Sequence, residues 1–399
     1  MKSMKNLEWA PWPHYEDDEI EKVTSLLKSG KVNYWTGDEG RQFETEYAQY
    51  LGRKHAVAVA NGTVALELAL YALGIGAGDE VIVPSRTYIA SASCAVMRGA
   101  LPVVADVDSI SQVLTVQTIA AALTNKTKAI VVVHLAGWPC EMDEIMVFAN
   151  ERGLFVIEDC AQAHGACYKG KPVGAWGHVA AFSFCQDKIM STGGEGGLIA
   201  LDDELLWKKA WAYKDIGRSY DAVYNKEHAP GFRWLTESFG TNWRLTEIQS
   251  AIGRIQLRKL DDWILKRRAN AEILNKGFAS IDGLIVHIPD ECVYHSYYKH
   301  YAFVQIDKLA EGWSRNKIME EINVLGIPCG VGSCSEIYLE KAFIDSGYAP
   351  VSRLENAKKL GEISLMFQVH PTLSSDHMNQ TVKIVKQVMN SATNNKVNV

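Results

Sequence analysis

Apolar residues recur along the first half of the chain in short β-branched runs separated by segments of helix length. The runs are AVAVA (56–60), EVIVP (80–84), LPVVADVD (101–108), KAIVVVH (128–134) and GLFVIED (153–159). Such alternation predicts repeated strand–helix units and a mostly parallel sheet, seven-stranded once VAAFSF (179–184) and GGLIALDD (196–203) are added. Those two follow each other closely, and a parallel connection needs about a dozen residues, so the last strand is open to antiparallel pairing. The intervening segments are credible helices. GTVALELALYALG places apolar residues at helical spacing and stops at Gly74, and MDEIMVFANERG carries acids early, an arginine late and a glycine at its end.

From about residue 203 to 275 the pattern turns helical and aromatic. DELLWKKAWAYKDIG is followed by a Gly/Pro-containing stretch and then by TEIQSAIGRIQLRKLDDWILKRRANAEILNKG, long enough to bridge two domains. Beyond it, GLIVHIP, HYAFVQI, the helix WSRNKIMEEINVLG and a helix near HMNQTVKIVKQVMN suggest a smaller α+β domain. The expected division is a large α/β domain over 1–255 and a small C-terminal α+β domain over 256–399. The tail SATNNKVNV is expected to fray, and no internal repeat or low-complexity segment interrupts the pattern.

Length supports two domains, since 399 residues exceed the roughly 250–300 that a single core accommodates. With 47% hydrophobic and 22% charged residues the composition is that of a globular protein, and a net charge of −6 offers no basic face for nucleic acid. No apolar run reaches the roughly 18–20 residues of a membrane span, and MKSMKNLEWAPWPHYEDDE lacks the apolar core of a secretory signal, so a cytoplasmic protein is expected. Eight cysteines are scattered without C-x-x-C or His/Cys ligand spacing, which supports no metal site. Five of them lie in apolar or small-residue surroundings and read as buried reduced thiols, whereas Cys329 and Cys334 in GIPCGVGSCSE sit in a loop and stay ambiguous.

Ligands of open α/β sheets collect beyond the C-terminal ends of the strands. Four features stand there. Asn61-Gly62-Thr63 follows AVAVA and opens a helix, which is either an ordinary turn and cap or a phosphate cradle of free N–H groups. Tyr88, in SRTYIAS after EVIVP, either packs or stacks on a planar ligand. Asp159, with Gln162 and His164 behind it in EDCAQAHG, either caps the next segment or holds a cationic ring nitrogen. Lys188 in FSFCQDKIMSTGGEGG stands between a strand and a glycine cluster, where a lysine shielded from water can form a Schiff base with a carbonyl. Ser183, on the strand before it, could add a hydroxyl to the same phosphate. One cofactor needs a phosphate cradle, a stacking ring, an acid for a pyridinium nitrogen and a Schiff-base lysine together: pyridoxal 5'-phosphate.

These motifs resemble the sugar aminotransferases of the DegT/DnrJ/EryC1/StrS family. The likeness runs from FETEYAQYLGRKHAVAVANGTVALELAL through DEVIVPSRTYIAS, VIEDCAQAHGACYKGKPVG and FSFCQDKIMSTGGEGG to GTNWRLTEIQSAIG. It implies the fold-type I architecture of aspartate aminotransferase. It also implies that Lys188 bonds covalently to the cofactor and shuttles the proton, that Asp159 pairs with the pyridine nitrogen, and that Gln162 neighbours the 3-hydroxyl. Tyr88 would be the stacking ring, Gly62, Thr63 and Ser183 the phosphate contacts, and Asn242 in GTNWR a residue reaching the phosphate from the other subunit of a homodimer with shared sites. Two departures stand out. The family more often has a single glycine before EGG, where this chain has Gly193 and Gly194, and CGVGSCSEIYLEKAF replaces a histidine-tyrosine-proline pattern in the region that helps receive the sugar.

The resemblance implies transfer of an amino group, from L-glutamate, to a nucleotide-linked keto sugar in the making of amino sugars for polysaccharides, glycans or natural products. Relatives that dehydrate the sugar are an alternative, although the 3-dehydratases carry histidine where this chain has Lys188. A non-catalytic regulatory protein on the same fold is a third reading, and a nicotinamide dehydrogenase lacks its G-x-G-x-x-G after the first strand. Trp35, Arg233, Tyr298 and Lys299 are candidates for the sugar-nucleotide pocket, with plain packing the competing reading for each.

Overall fold

The computed structural model describes residues 8–393. Its large sheet holds seven strands: β1 (His55–Val59), β2 (Glu80–Pro84), β3 (Leu101–Ala105), β4 (Thr127–Val133), β5 (Phe155–Asp159), then, past the short strands β6 (Cys167–Tyr168) and β7 (Lys171–Pro172), β8 (Val179–Ser183) and β9 (Gly197–Leu201). Their order is β1-β9-β8-β5-β4-β2-β3. β9 is antiparallel to both neighbours and the remaining pairs are parallel, so six strands run one way and their C-terminal ends share one edge.

Side chains on successive residues of a strand point to opposite faces, and the cores follow that rule. On β1, Val57 and Val59 enter one hydrophobic core while Ala56 and Ala58 enter the other. On β9, Ile199 and Leu201 divide in the same way from Leu198 and Ala200. Helices therefore cover both faces. These are α1 (Asp17–Ser29), α2 (Glu39–Leu51), α3 (Gly62–Leu73), α4 (Ala90–Met97), α5 (Val116–Ala122), α6 (Met142–Glu151), α7 (Glu204–Lys214), the one-turn α8 (Tyr220–Tyr224) and α9 (Glu247–Ala279). Helix α3 forms where GTVALELALYAL supplies strong helix formers between two stops: Asn61 Oδ1 accepts the Val64 N–H at 3.0 Å, and Gly74 ends the helix at φ +77°.

Helix α9 begins with a capping box between Thr246 and Gln249 and runs for 33 residues, about 50 Å. Leu257, Leu260, Trp263 and Ile264 bury in the large-domain core, whereas Ala271, Leu274 and Phe278 bury in a second core. The helix is thus continuous through the 255/256 division expected from sequence and carries the chain between the two cores. The second core lies under an antiparallel sheet of β10 (Leu284–Ile285), β12 (His300–Val304), β14 (Ser364–Phe367) and β13 (Cys329–Gly330), while β11 (Val293–Tyr294) pairs with β6. Trp9 packs against this core, and its Nε1 donates to the Gly326 carbonyl at 2.9 Å.

One expectation needs correcting. The segment GLIVHIP forms strand only at Leu284–Ile285. Of the tail SATNNKVNV, Ser391 and Ala392 end the last helix, and residues 394–399 lie outside the described ones, as does the start MKSMKNL. Of the eight free cysteines, Cys94, Cys140 and Cys160 are buried, Cys167, Cys185 and Cys329 are half-buried, and Cys292 and Cys334 are exposed, so fewer are core thiols than composition suggested. Among the described residues no helix is long and apolar enough to cross a membrane.

Candidate active site

The shared C-terminal edge of the parallel strands opens into a cavity of about 390 Å³. Gly62 and Thr63 after β1, Tyr88 after β2, Asp159 and Gln162 at the end of β5, and Ser183 and Lys188 from β8 onward all line it. Seven of the eight residues singled out from sequence therefore meet in one place, because six strands deliver their ends to the same edge. The eighth does not: Asn242 is exposed and bridges to Asp215 away from this cavity.

The cavity floor is preorganised around Ser183 and Asp159. His164 is fully buried, donates from Nε2 to the Ser183 carbonyl at 2.9 Å and accepts the Tyr47 hydroxyl at Nδ1 at 2.7 Å. Burial lowers its pKa to about 4, so it is a neutral fixture under the strand end. The Asp159 carboxyl accepts from the Ser91 hydroxyl at 2.7 Å and from the Ala161 N–H at 3.1 Å. Burial nevertheless pushes this acid above the ordinary aspartate range, since those two donors and the more distant Lys188 only partly compensate. It is an acid short of a cation.

Lys188 sits on the rim between this cavity and a second one. Its side chain is 16% exposed, its Nζ lies 3.4 Å from Asp187 Oδ1 and 5.1 Å from the centre of the Tyr298 ring, and its carbonyl accepts Trp12 Nε1 at 2.7 Å. The glycines after it adopt the left-handed region, Gly193 at φ +84° and Gly194 at +113°, which lets the loop double back so that Gly194 N–H reaches Ser191 Oγ at 3.3 Å. Glu195 also lines the cavity, and its carbonyl accepts from Thr192 Oγ1 and Gln249 Nε2, fastening this two-glycine loop to α9.

Gln162 Oε1 accepts the Ala136 N–H at 2.9 Å, and its Nε2 donates to Ser333 Oγ at 3.4 Å. Tyr88 is 66% exposed, so its ring stands open over the site rather than packing in the core. The second chamber, about 300 Å³, shares Tyr88, Gln162, Asp187 and Lys188 with the first, and its far wall carries Tyr298, Lys299, Ser333 and Glu340. Of the four residues considered for a sugar-nucleotide pocket, Tyr298 and Lys299 line this chamber. Trp35 instead packs edge-on against Trp211, and Arg233 is exposed in the 225–240 loop.

Sequence reasoning missed Asp187, Ser91 and Glu195. Asp187 adjoins Lys188 in QDK and could have been flagged as a charge beside the reactive amine. Ser91 sits 68 residues from the acid it serves and left no local signal.

The residues present fit pyridoxal phosphate. A Cβ added to Gly62 would lie 2.5 Å from Ser183 Cβ, so glycine is what lets the first turn of α3 close against the strand end, with the unpaired N–H groups of that turn and the serine hydroxyl facing one space. The buried, cation-starved Asp159 is the complement of a protonated ring nitrogen.

Comparison with known proteins gives concordant results. The profile of the DegT/DnrJ/EryC1/StrS aminotransferase family matches residues 13–386. GDP-perosamine synthase of Escherichia coli O157:H7 is 42% identical over 289 residues, 72% of this chain and 75% of that protein. The X-ray structure of an aminotransferase from Psychrobacter cryohalolentis superposes with a TM-score of 0.95 at 55% identity, covering 96% of this chain and all of the other. The PLP form of Spr1654 from Streptococcus pneumoniae superposes with a TM-score of 0.85 at 25% identity over 97% of this chain and 99% of the other.

Proposed function

The chain belongs to the DegT/DnrJ/EryC1/StrS aminotransferase family, and on that premise we propose that it moves an amino group from L-glutamate to the keto group of a nucleotide-linked sugar. It is a pyridoxal-phosphate-dependent aminotransferase of amino-sugar biosynthesis. The observation that supports the finer reading is the junction of two chambers at one lysine: a cavity that fits the cofactor, and a second one beside it, with Lys188 between them.

Gly62, Thr63 and Ser183 would hold the phosphate, Asp159 the ring nitrogen, Gln162 the ring hydroxyl, and Tyr88 would cover the ring face. The bound cofactor supplies the electron sink that makes the carbon–hydrogen bond beside the donor nitrogen acidic. Lys188 would anchor the bound cofactor through Nζ. Its free amine would take the proton from the donor carbon, and in the return half-reaction Lys188 would deliver a proton to the former keto carbon of the sugar. Asp187, 3.4 Å from the same nitrogen, keeps it oriented toward the junction. The loop over 331–337 crosses the edge of the second chamber, where Thr87 N–H donates to the Cys334 carbonyl and Ile337 N–H to the Ser85 carbonyl, and limits access of water.

The working unit in this reading is a homodimer. Phe232, Trp234 and Phe239 are 78%, 83% and 98% exposed on the segment that leads to Asn242, an apolar surface that a second copy would cover. Asn242 then serves the neighbouring subunit's phosphate.

The test is incubation of purified protein with L-glutamate and candidate nucleotide-linked keto sugars, read by mass spectrometry. Gain of an amine with release of 2-oxoglutarate is expected, together with loss of both by Lys188→Ala. Loss of water from the sugar without amine gain would replace the transaminase reading with a dehydratase.

A further inference from the structure

An amino-acid donor carries a carboxylate on the carbon whose proton Lys188 removes, so the receptor for that carboxylate has to stand within a few ångströms of Lys188 while remaining free of the cofactor. Resting on the transaminase reading above, we propose that Lys299 is this receptor. It would thereby be a residue that makes the site specific for α-amino acids.

Lys188 and Lys299 are the cations among the described residues lining the two chambers. Their ammonium groups approach the same ring, 5.1 and 4.8 Å from the centre of Tyr298. They also share one anion, Asp187, at 3.4 and 4.0 Å. Asp187 is over-committed, since it also accepts the Tyr298 hydroxyl. Lys299, with a side chain 22% exposed, is left with an ion pair too long for a hydrogen bond and three N–H donors to spend.

Its surroundings favour a further anion. Arg267 lies wholly buried behind the Tyr298 backbone, sits over the Trp12 ring at 5.0 Å, makes 3.4 Å contacts with the carbonyls of Tyr297 and Tyr298, and has Nε and one terminal nitrogen without hydrogen-bond partners. Lys188 and Lys299 therefore share one close carboxylate, with Glu340 exposed on the outer rim of the chamber. Burial pushes the Lys299 ammonium down, Asp187 opposes this, and Lys188 and Arg267 add to it, so an incoming carboxylate relieves an unfavourable charge rather than displacing a satisfied one.

The experiment compares the cofactor-loaded wild type with Lys299→Met, which keeps the length without the charge, and Lys299→Arg, which keeps the charge. KM for L-glutamate is expected to rise roughly 10- to 100-fold in Lys299→Met, with KM for the keto sugar within twofold and Lys299→Arg close to wild type. The wild type should discriminate by a similar factor against L-glutamate 1-amide, which lacks the α-carboxylate, and Lys299→Met should lose that discrimination. Calorimetric binding of glutarate, which needs no turnover, should weaken in parallel. The proposal is overturned if the amide penalty is the same in wild type and variant, if the sugar KM rises instead, or if glutarate binds both proteins equally. Absence of any spectral response of wild type to glutamate would count against the transaminase reading, and the glutarate titration would still decide the role of Lys299.

Discussion

Replacing Gly62 by alanine tests whether the phosphate cradle depends on close approach of α3 to the end of β8. The added methyl would lie 2.5 Å from Ser183 Cβ and 3.0 Å from its Oγ, against a normal carbon–carbon contact of about 3.5–4.0 Å. Ser183 cannot retreat, because β8 is bonded to β5 on one side and to β9 on the other and its neighbour Phe182 is 1% exposed in the core. The first turn of α3 has to move out by about 1 Å, which carries the N–H groups of Gly62 and Thr63 away from the hydroxyl. Overpacking of this kind costs about 1–3 kcal/mol. Shared between folding and cofactor retention, that appears as a pyridoxal-phosphate Kd raised by up to roughly 5- to 150-fold, or as a lower melting temperature of the cofactor-free protein. Titration of the visible cofactor band and differential scanning calorimetry measure the two parts. In the Gly62→Ala/Ser183→Gly double variant the obstructing carbon is gone, and the melting temperature should recover even though the hydroxyl contact does not. Unchanged cofactor affinity and unchanged melting temperature in Gly62→Ala would refute the close-approach argument.

Other consequences follow from the buried acids and the chain's division of labour. Asp159 has its pKa raised in the fold, so its contribution to stability is full below the unfolded value near 4 and is lost as pH rises through the folded one. Asp159→Asn should therefore raise the melting temperature of cofactor-free protein at pH 7, with the gain vanishing in acid, while weakening cofactor binding about tenfold or more. Glu158 is the opposite case: burial alone would raise it, but His134 and the N–H groups of Gly174, Trp176 and Gly177, at 2.6–2.8 Å, hold it below the usual range. Its stabilisation is present above the unfolded value and lost as pH falls through the folded one, so Glu158→Gln should cost about 2–3 kcal/mol at neutral pH in denaturant titrations, and the gap should narrow as pH falls below the ordinary glutamate range. If Asn242 serves the neighbouring subunit, then co-refolding inactive Lys188→Ala with Asn242→Ala chains should restore about a quarter of wild-type activity, because half of the dimers are mixed and each of these has one intact site. No recovery would place Asn242 in its own subunit's chemistry or outside it altogether.

The chain by itself determined the sheet and most of the residues that line the first cavity, because both depend on local order. β-branched runs at helix-length spacing leave little choice but parallel strand–helix units, and EVIVP occupies β2 residue for residue. Once strands are parallel, whatever follows each one is carried to the same edge, so Gly62, Asp159 and Lys188 were legible as one constellation though 126 residues separate the first from the last. Tertiary structure decided what depends on contacts between distant segments. Ser91 becomes the donor to Asp159 only because α4 packs beside β5's end, and Trp12 reaches the Lys188 carbonyl across 176 residues. GLIVHIP shrinks to two strand residues, since a strand extends only as far as its partner pairs with it, and β12 meets β10 at Leu284 and Ile285 alone. The second chamber had no signature in sequence either. Its walls come from the ends of β2 and β8 on one side and from 298–299 and 332–340 on the other, and only packing of the small domain over the sheet edge sets Lys299 within reach of the anion that Lys188 also holds.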